Sequence, residues 1–180
     1  MGTRHNIRIS INGTTKVAQY GQWDGYIGKV GLALVSIIGS ILESDKLEEF
    51  TKKVSNLRFF SKEELEDLDK RADCIPQMYL GSKDTSQSFY DEYPQLSRDT
   101  SCNIIDLIQE GKIDKVVDWT SDWAEDVDFR QCEYLYHIEI TTDEDEEYDI
   151  MLKGYDRKMN LILLLNMEAI LEFCDRLKDM

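Results

Sequence analysis

The residues best equipped for chemistry lie between positions 16 and 26, where the chain reads KVAQYGQWDGY. Two tyrosines, a tryptophan, two glutamines, an aspartate and two glycines fall within these eleven residues. Rings that stack, beside amides that hydrogen-bond an edge, are the interactions that hold a nucleobase. Tyr20, Gln22, Trp23, Asp24 and Tyr26 are therefore candidate ligand-binding residues, joined by His5 from the facing strand of a hairpin. A carboxylate set against aromatic rings has its pKa raised by desolvation, so Asp24 is also a candidate general base. Its plainer role is an Asx-type turn ahead of Gly25, and that reading is preferred. His5 could pair with Asp24 or Tyr20, although a lone strand histidine is more often a hydrogen-bonded structural residue.

Two acidic runs offer a different chemistry. Asp118, Asp122, Glu125, Asp126 and Asp128 enclose Trp119 and Trp123, and Asp143, Glu144, Asp145, Glu146 and Glu147 follow one another without a break. Most charge runs are solvated loops. Aromatic rings among carboxylates also anchor an acidic protein on a basic groove, with rings in pockets and carboxylates on Arg and Lys. These twelve residues are candidates for partner binding. The second run is no calcium loop of the EF-hand type, because Tyr148 stands where that loop needs glycine. His137, in a strand among acids, is expected to take a proton more readily.

The formal net charge is −15, which argues against direct binding to a nucleic-acid backbone. It is unevenly spread. Residues 1–40 hold four basic groups and one acid, leaving 17 basic and 35 acidic groups in the remainder, so a small anionic ligand near the N-terminal hairpin stays open. Cys74, Cys102, Cys132 and Cys174 form no CxxC pair, and the two histidines stand apart from them. Neither a metal nor a cofactor is expected. Scattered thiols without a signal peptide fit buried cysteines in a reducing cytoplasm. The apolar run at 30–42 is too short to span a bilayer. No Walker loop, GxGxxG, HExxH, GxSxG or kinase signature occurs.

The elements that must position these residues follow from periodicity. Ile7, Ile9 and Ile11 alternate with Asn6, Arg8 and Ser10, and Asn12-Gly13 is a type I′ hairpin signal, so residues 4–20 read as two strands. The register stays open: a two-residue turn sets His5 opposite Tyr20, and a three-residue turn sets Ile9 opposite Val17. Residues 29–43 read as a buried helix, Asp45 as the cap of a helix over 46–54, and Ser61 with Glu64 as a capping box for a helix over 62–71. Residues 72–96 read as irregular. Asp99 or Ser101 is a candidate cap for a helix over 102–110, ended by Gly111. Residues 133–141 and 148–154 read as a second hairpin, with Tyr134, Tyr136, Ile138 and Ile140 on one face. Residues 160–177 read mainly as a helix with Met167, Ile170, Leu171, Cys174 and Leu177 as its stripe; a strand at 161–165 is the alternative. The expected architecture is one α+β domain over residues 1–180, an antiparallel sheet from hairpins at about 4–20 and 133–154 covered by helices, with 160–180 as a helix or helical appendage.

Four segments, MGTRH at the start, AQYGQWDGY, YPQLSRDTSCNIIDLIQ at 93–109 and CEYLYHIEI at 132–140, resemble a family of small proteins of bacteria, phages and prophages. The likeness covers most of residues 1–154. Members often carry Pro-x-Gly after the aromatic stretch, where this chain has Ile27-Gly28. The family transfers no catalytic residues. It implies the context of mobile-element accessory genes, many of which encode inhibitors of bacterial defence such as anti-CRISPR proteins. The Gly-Gln-Trp-Asp turn also faintly resembles the N-terminal nucleophile hydrolases, whose residue-1 Cys, Ser or Thr uses its own amine as base. Here methionine removal exposes Gly2, and Thr3 would need a further cleavage.

The first expectation is accordingly a non-enzymatic, cytoplasmic anti-defence inhibitor that binds a basic, nucleic-acid-handling host protein. The alternative is a small-molecule or nucleotide binder at AQYGQWDGY, and the third a hydrolase using Thr3 and Asp24. No membrane partner is expected, and an exposed hairpin edge allows a homodimer.

Overall fold

The computed structural model describes residues 2–73, 89–118, 132–143 and 147–178. The N-terminal hairpin forms from β1 (His5–Ile11) and β2 (Thr14–Gly21). Asn12 and Gly13 both take positive φ, 47° and 77°, as the tight turn requires. The register combines the two alternatives. Ile11 faces Thr14 and Ser10 faces Thr15, as a two-residue turn dictates; a bulge then sets Ile9 opposite Val17 and His5 opposite Gly21.

Strands β5 (Tyr134–Thr142), β6 (Tyr148–Asp156) and β7 (Leu161–Asn166) complete a five-stranded sheet in the order β2-β1-β5-β6-β7. The two hairpins meet through a parallel β1–β5 pair, so the α+β sheet is mixed rather than wholly antiparallel. The helical chain between them returns β5 in the same direction as β1. A short parallel pair, β3 (Arg58–Phe59) with β4 (Lys115–Val116), lies apart.

One face of the sheet carries Ile7, Ile9, Val17, Tyr136, Ile138, Ile140, Ile150 and Leu152, all fully buried. Against it pack α1 (Leu32–Glu43), through Leu34, Val35, Ile38 and Ile41, and α5 (Met167–Lys178), through Ile170 and Cys174. These two helices approach closely at Gly39, where a Cβ would lie 2.2 Å from Cys174 Sγ. α2 (Leu47–Asn56) and α4 (Asn103–Gln109) close the core with Phe50, Val54, Ile104, Ile105 and Ile108. On the opposite face Ser10 Oγ and His137 Nε2 share a 2.8 Å hydrogen bond, and Lys153 pairs with Glu139 at 2.6 Å.

Several local expectations change. Asp45 does not cap α2; it adopts φ 55° in the link after α1, and Lys46 occupies the cap position without a side-chain bond. Ser61 and Glu64 do form the capping box at α3 (Lys62–Asp73), with reciprocal bonds of 3.2 and 2.9 Å. Neither Asp99 nor Ser101 caps α4, because both side chains are engaged elsewhere. The stretch expected to be mainly helix begins as β7, since Leu163 and Leu165 alternate inward against Gly154 and Leu152. Leu161, Ile162 and Leu164 are exposed, as is Leu177 of the expected helical stripe. His137 moves opposite to expectation: burial is the largest influence and, with Arg8 and Lys153, it lowers the pKa against the pull of Glu139. Cys102, Cys132 and Cys174 are buried free thiols, and Cys74 lies outside the described residues. No single helix among the described residues is long and apolar enough to cross a membrane.

Candidate functional site

The aromatic segment turns the corner from the end of β2 into α1. Gly21 and Gly25 are required there by close approach. A Cβ on Gly21 would sit 2.3 Å from the His5 ring, and one on Gly25 would sit 2.7 Å from the Thr3 carbonyl oxygen and 2.8 Å from His5 Nδ1. The Gly25 amide donates to the Thr3 carbonyl at 2.9 Å, and the buried Tyr136 hydroxyl donates to the Gly25 carbonyl at 2.8 Å. Burial of that phenol raises its pKa, so it stays a donor. Asp24 holds φ 54°, the left-handed turn conformation that Asp tolerates better than most residues.

The chain after this corner winds through a wide π-type turn, Ile27–Gly31, before α1 begins. The segment 98–103 lies opposite. Gln22 N–H donates to the Arg98 carbonyl at 3.1 Å, and Gln19 Nε2 adds a second tie by donating to the Ser97 carbonyl at 3.3 Å. Trp23 Nε1 donates to Asp99 Oδ1 at 2.9 Å, and the Arg98 guanidinium lies 6.0 Å from the indole centroid, within cation–π range. Between the two segments opens a cavity of about 280 Å³. Trp23, Asp24, Lys29, Arg98, Ser101 and Asn103 are among its lining residues.

His5 stands behind this wall. It is fully buried, and its Nε2 lies 2.8 Å from Ser101 Oγ. Nδ1 faces the Thr3 backbone without a hydrogen bond of good geometry. Burial is the largest influence on the ring and lowers its pKa to about 4, against smaller raising contributions from Thr3 and Asp24. The imidazole is therefore neutral at pH 7.

The sequence candidates separate in space. Trp23 and Asp24 line the cavity. Tyr20 points to the other face of the sheet, paired opposite Asn6, where its hydroxyl donates to Gln22 Oε1 at 2.6 Å. Tyr26 is exposed beside Gly28 and outside the lining, and His5 reaches the cavity wall only through Ser101. Lys29, Arg98, Asp99, Ser101 and Asn103 are additions to the candidate set; all but Lys29 fall in the segment 93–109, which carried a likeness to a family but no ligand-binding role. Individually Asp99 and Ser101 read as helix caps, and short polar side chains serve either purpose.

Of the acidic candidates, Asp118 forms an isolated parallel bridge with Ala18. Glu147 N–H donates to Asp143 Oδ1 at 2.8 Å, closing the β5–β6 turn. Trp119, Asp122, Trp123, Glu125, Asp126, Asp128, Glu144, Asp145 and Glu146 lie outside the described residues. No cluster of three or more metal-ligating side chains occurs among the described residues.

Fold and site together define an α+β protein with an indole-walled cavity at a sheet corner, lined by the cations Lys29 and Arg98 and the carboxylates Asp24 and Asp99. Comparison with protein-family models, curated proteins and solved structures returns no match.

Proposed function

We propose that this protein binds a small anionic ligand with a planar ring, of the nucleotide class, in the cavity between Trp23 and Ser101. The observation that carries this reading is the indole of Trp23. It is 50% exposed, yet it is held in place by Asp99 and Arg98 beside a cavity that also presents Lys29. An exposed ring locked by polar partners is a preorganised stacking surface; Lys29 and Arg98 meet the anionic group, while of the two lining carboxylates Asp99 is taken up by the indole and Asp24 lies beside it. The cavity volume of about 280 Å³ suits a base or a mononucleotide-sized fragment rather than a dinucleotide.

The test is a thermal-shift and calorimetric screen of nucleotides and small carboxylates against the full chain. A ligand at about a hundredfold its Kd stabilises by about 2.7 kcal/mol, a shift of several degrees. Trp23→Ala is expected to weaken the hit roughly ten- to a hundredfold, in line with about 1–3 kcal/mol per stacked base. Lys29→Ala should also weaken the hit, and binding should then fall less steeply with added salt than in the parent. A full panel without a shift removes the reading.

The charge favours a second reading, the anti-defence inhibitor that docks on a basic, nucleic-acid-handling host protein. With −15 overall and acidic groups concentrated after residue 40, association with a basic surface would be fast and salt-sensitive. Neutralising Asp118–Asp128 or Asp143–Glu147 should then weaken capture of a stoichiometric basic partner and flatten its salt dependence. Variants that bind and inhibit like the parent would sink this idea.

A further inference from the structure

The cavity wall holds a hydroxyl and an imidazole in the arrangement of a nucleophile and its base. Ser101 Oγ stands 2.8 Å from His5 Nε2, and Ser101 itself lines the cavity. The geometry points to Ser101 as a nucleophile activated by His5, acting on a small ester or comparable acyl compound that carries an anionic group. This deepens the cavity reading above and rests on it.

Three observations converge. The first is the tautomer. The Thr3 backbone lies on the Nδ1 side of the ring without a formed hydrogen bond, and the proposed tautomer carries its proton on Nδ1. Nε2 then carries the lone pair, and the Ser101 hydroxyl donates to it. That is the orientation in which a serine loses its proton. Burial keeps the ring neutral at physiological pH and therefore ready to accept.

The second is backbone strain. Ser101 adopts φ 45°, and Asp24 across the cavity adopts φ 54°. Non-glycine residues keep such conformations when their surroundings enforce them, and these cluster at working sites. With that backbone Ser101 Oγ lies on His5 Nε2, and no side chain caps α4.

The third is the choice between neighbouring nucleophiles. Cys102 adjoins Ser101, yet its thiol is buried against the Val30 carbonyl, at 3.9 Å, and burial pushes its pKa up. A thiol held protonated and away from a base is inert, which leaves the hydroxyl. Lys29, Arg98 and Asn103 line the same cavity and can hold the anionic part of the substrate.

The step balances with water as the only co-reactant. Ser101 Oγ bonds to the acyl carbon as its proton passes to His5 Nε2. The bond from carbon to the leaving oxygen breaks, and His5 returns the proton to that oxygen. Water then attacks the acyl-serine, giving one proton to His5, which restores it to Ser101 Oγ as the acid is released.

The experiment incubates the full chain with diisopropyl fluorophosphate and reads adducts by intact and peptide mass spectrometry. A parallel assay follows hydrolysis of p-nitrophenyl succinate, which bears a carboxylate, and of p-nitrophenyl acetate, which does not. One adduct is expected, on Ser101, absent in Ser101→Ala. Ser101→Ala should keep the parent's circular dichroism and a cooperative melt, at a somewhat lower temperature, while losing roughly a hundredfold or more in ester hydrolysis. The parent rate should be flat between about pH 6 and 8, because the base is already neutral. Lys29→Ala should raise KM several-fold more for the succinate than for the acetate. A parent that binds nucleotides but takes no adduct on Ser101 overturns the nucleophile and leaves the cavity reading standing. Labelling of Ser101 with no nucleotide hit and no effect of Lys29→Ala keeps the nucleophile and removes the ligand assignment. A purely structural Ser101–His5 tether shows neither adduct nor loss of hydrolysis.

Discussion

Gly25→Ala is expected to lower stability by about 3 kcal/mol and to abolish ligand binding at the corner together with it. The added methyl would lie 2.7 Å from the Thr3 carbonyl oxygen and 2.8 Å from both Cβ and Nδ1 of His5. None of these can withdraw cheaply. The oxygen is backbone, and the histidine is fully buried and pinned to Ser101. The Gly25 backbone is held from both sides, by its own N–H to Thr3 and by the Tyr136 hydroxyl on its carbonyl. Relaxation would break one of these hydrogen bonds, each worth about 1 kcal/mol net. Gly13→Ala is the control. There φ is 77° but nothing lies within 4 Å, so only the conformational cost of about 1 kcal/mol applies. Urea denaturation of the two variants makes the comparison. A Gly25→Ala midpoint equal to that of Gly13→Ala would show that the corner is not packed as described.

The second large effect is acid lability. His5 has a pKa of about 4 in the folded chain against 6.5 for an unperturbed histidine. Above the higher value both folded and unfolded chains carry a neutral ring, and the group contributes no pH dependence. As the pH falls from 6.5 towards 4, the unfolded chain takes up a proton that folded His5 refuses, so stability falls. Below the lower value both are protonated and the loss is complete. The full loss is on the order of 3 kcal/mol, from about 1.4 kcal/mol per pKa unit. His137 is shifted the same way and adds to the slope. Denaturant midpoints measured across this window should show a steep decline in the parent. In His5→Gln, which is less stable at neutral pH, the slope should be shallower by about one proton. Equal slopes would mean that His5 titrates normally and is not sealed beneath the corner.

These effects show where sequence reasoning reached the site and where it stopped. The eleven residues from Lys16 to Tyr26 are legible as a cluster of rings and amides because composition alone sets them apart. Which of them share a cavity is not legible. Strand alternation sends Tyr20 to one face of the sheet and leaves Gly21 on the other, and that assignment depends on a bulge near Ile9 that moves the register by one residue. The opposite wall comes from residues 98–103, more than seventy positions away, and its short polar side chains read equally well as helix caps. Only packing shows Asp99 spent on the Trp23 indole and Ser101 on His5.

By itself the sequence determined what depends on neighbours along the chain: the Asn12-Gly13 turn, the alternating strands, the Ser61–Glu64 capping box, the buried α1 and the strong negative charge. These follow from local sterics, hydrogen bonding and periodicity, which act over a few residues. Tertiary structure decided the parallel join of β1 to β5, the strand at Leu161–Asn166 and the meeting of Trp23, Lys29, Arg98 and Ser101 around one cavity. The apolar run after residue 160 suits helix or strand equally, and the open edge of β6 settled its first half by offering unpaired backbone groups to bond. The burial of His5 was decided in the same way, since a histidine loses its water only when segments distant in sequence close over it.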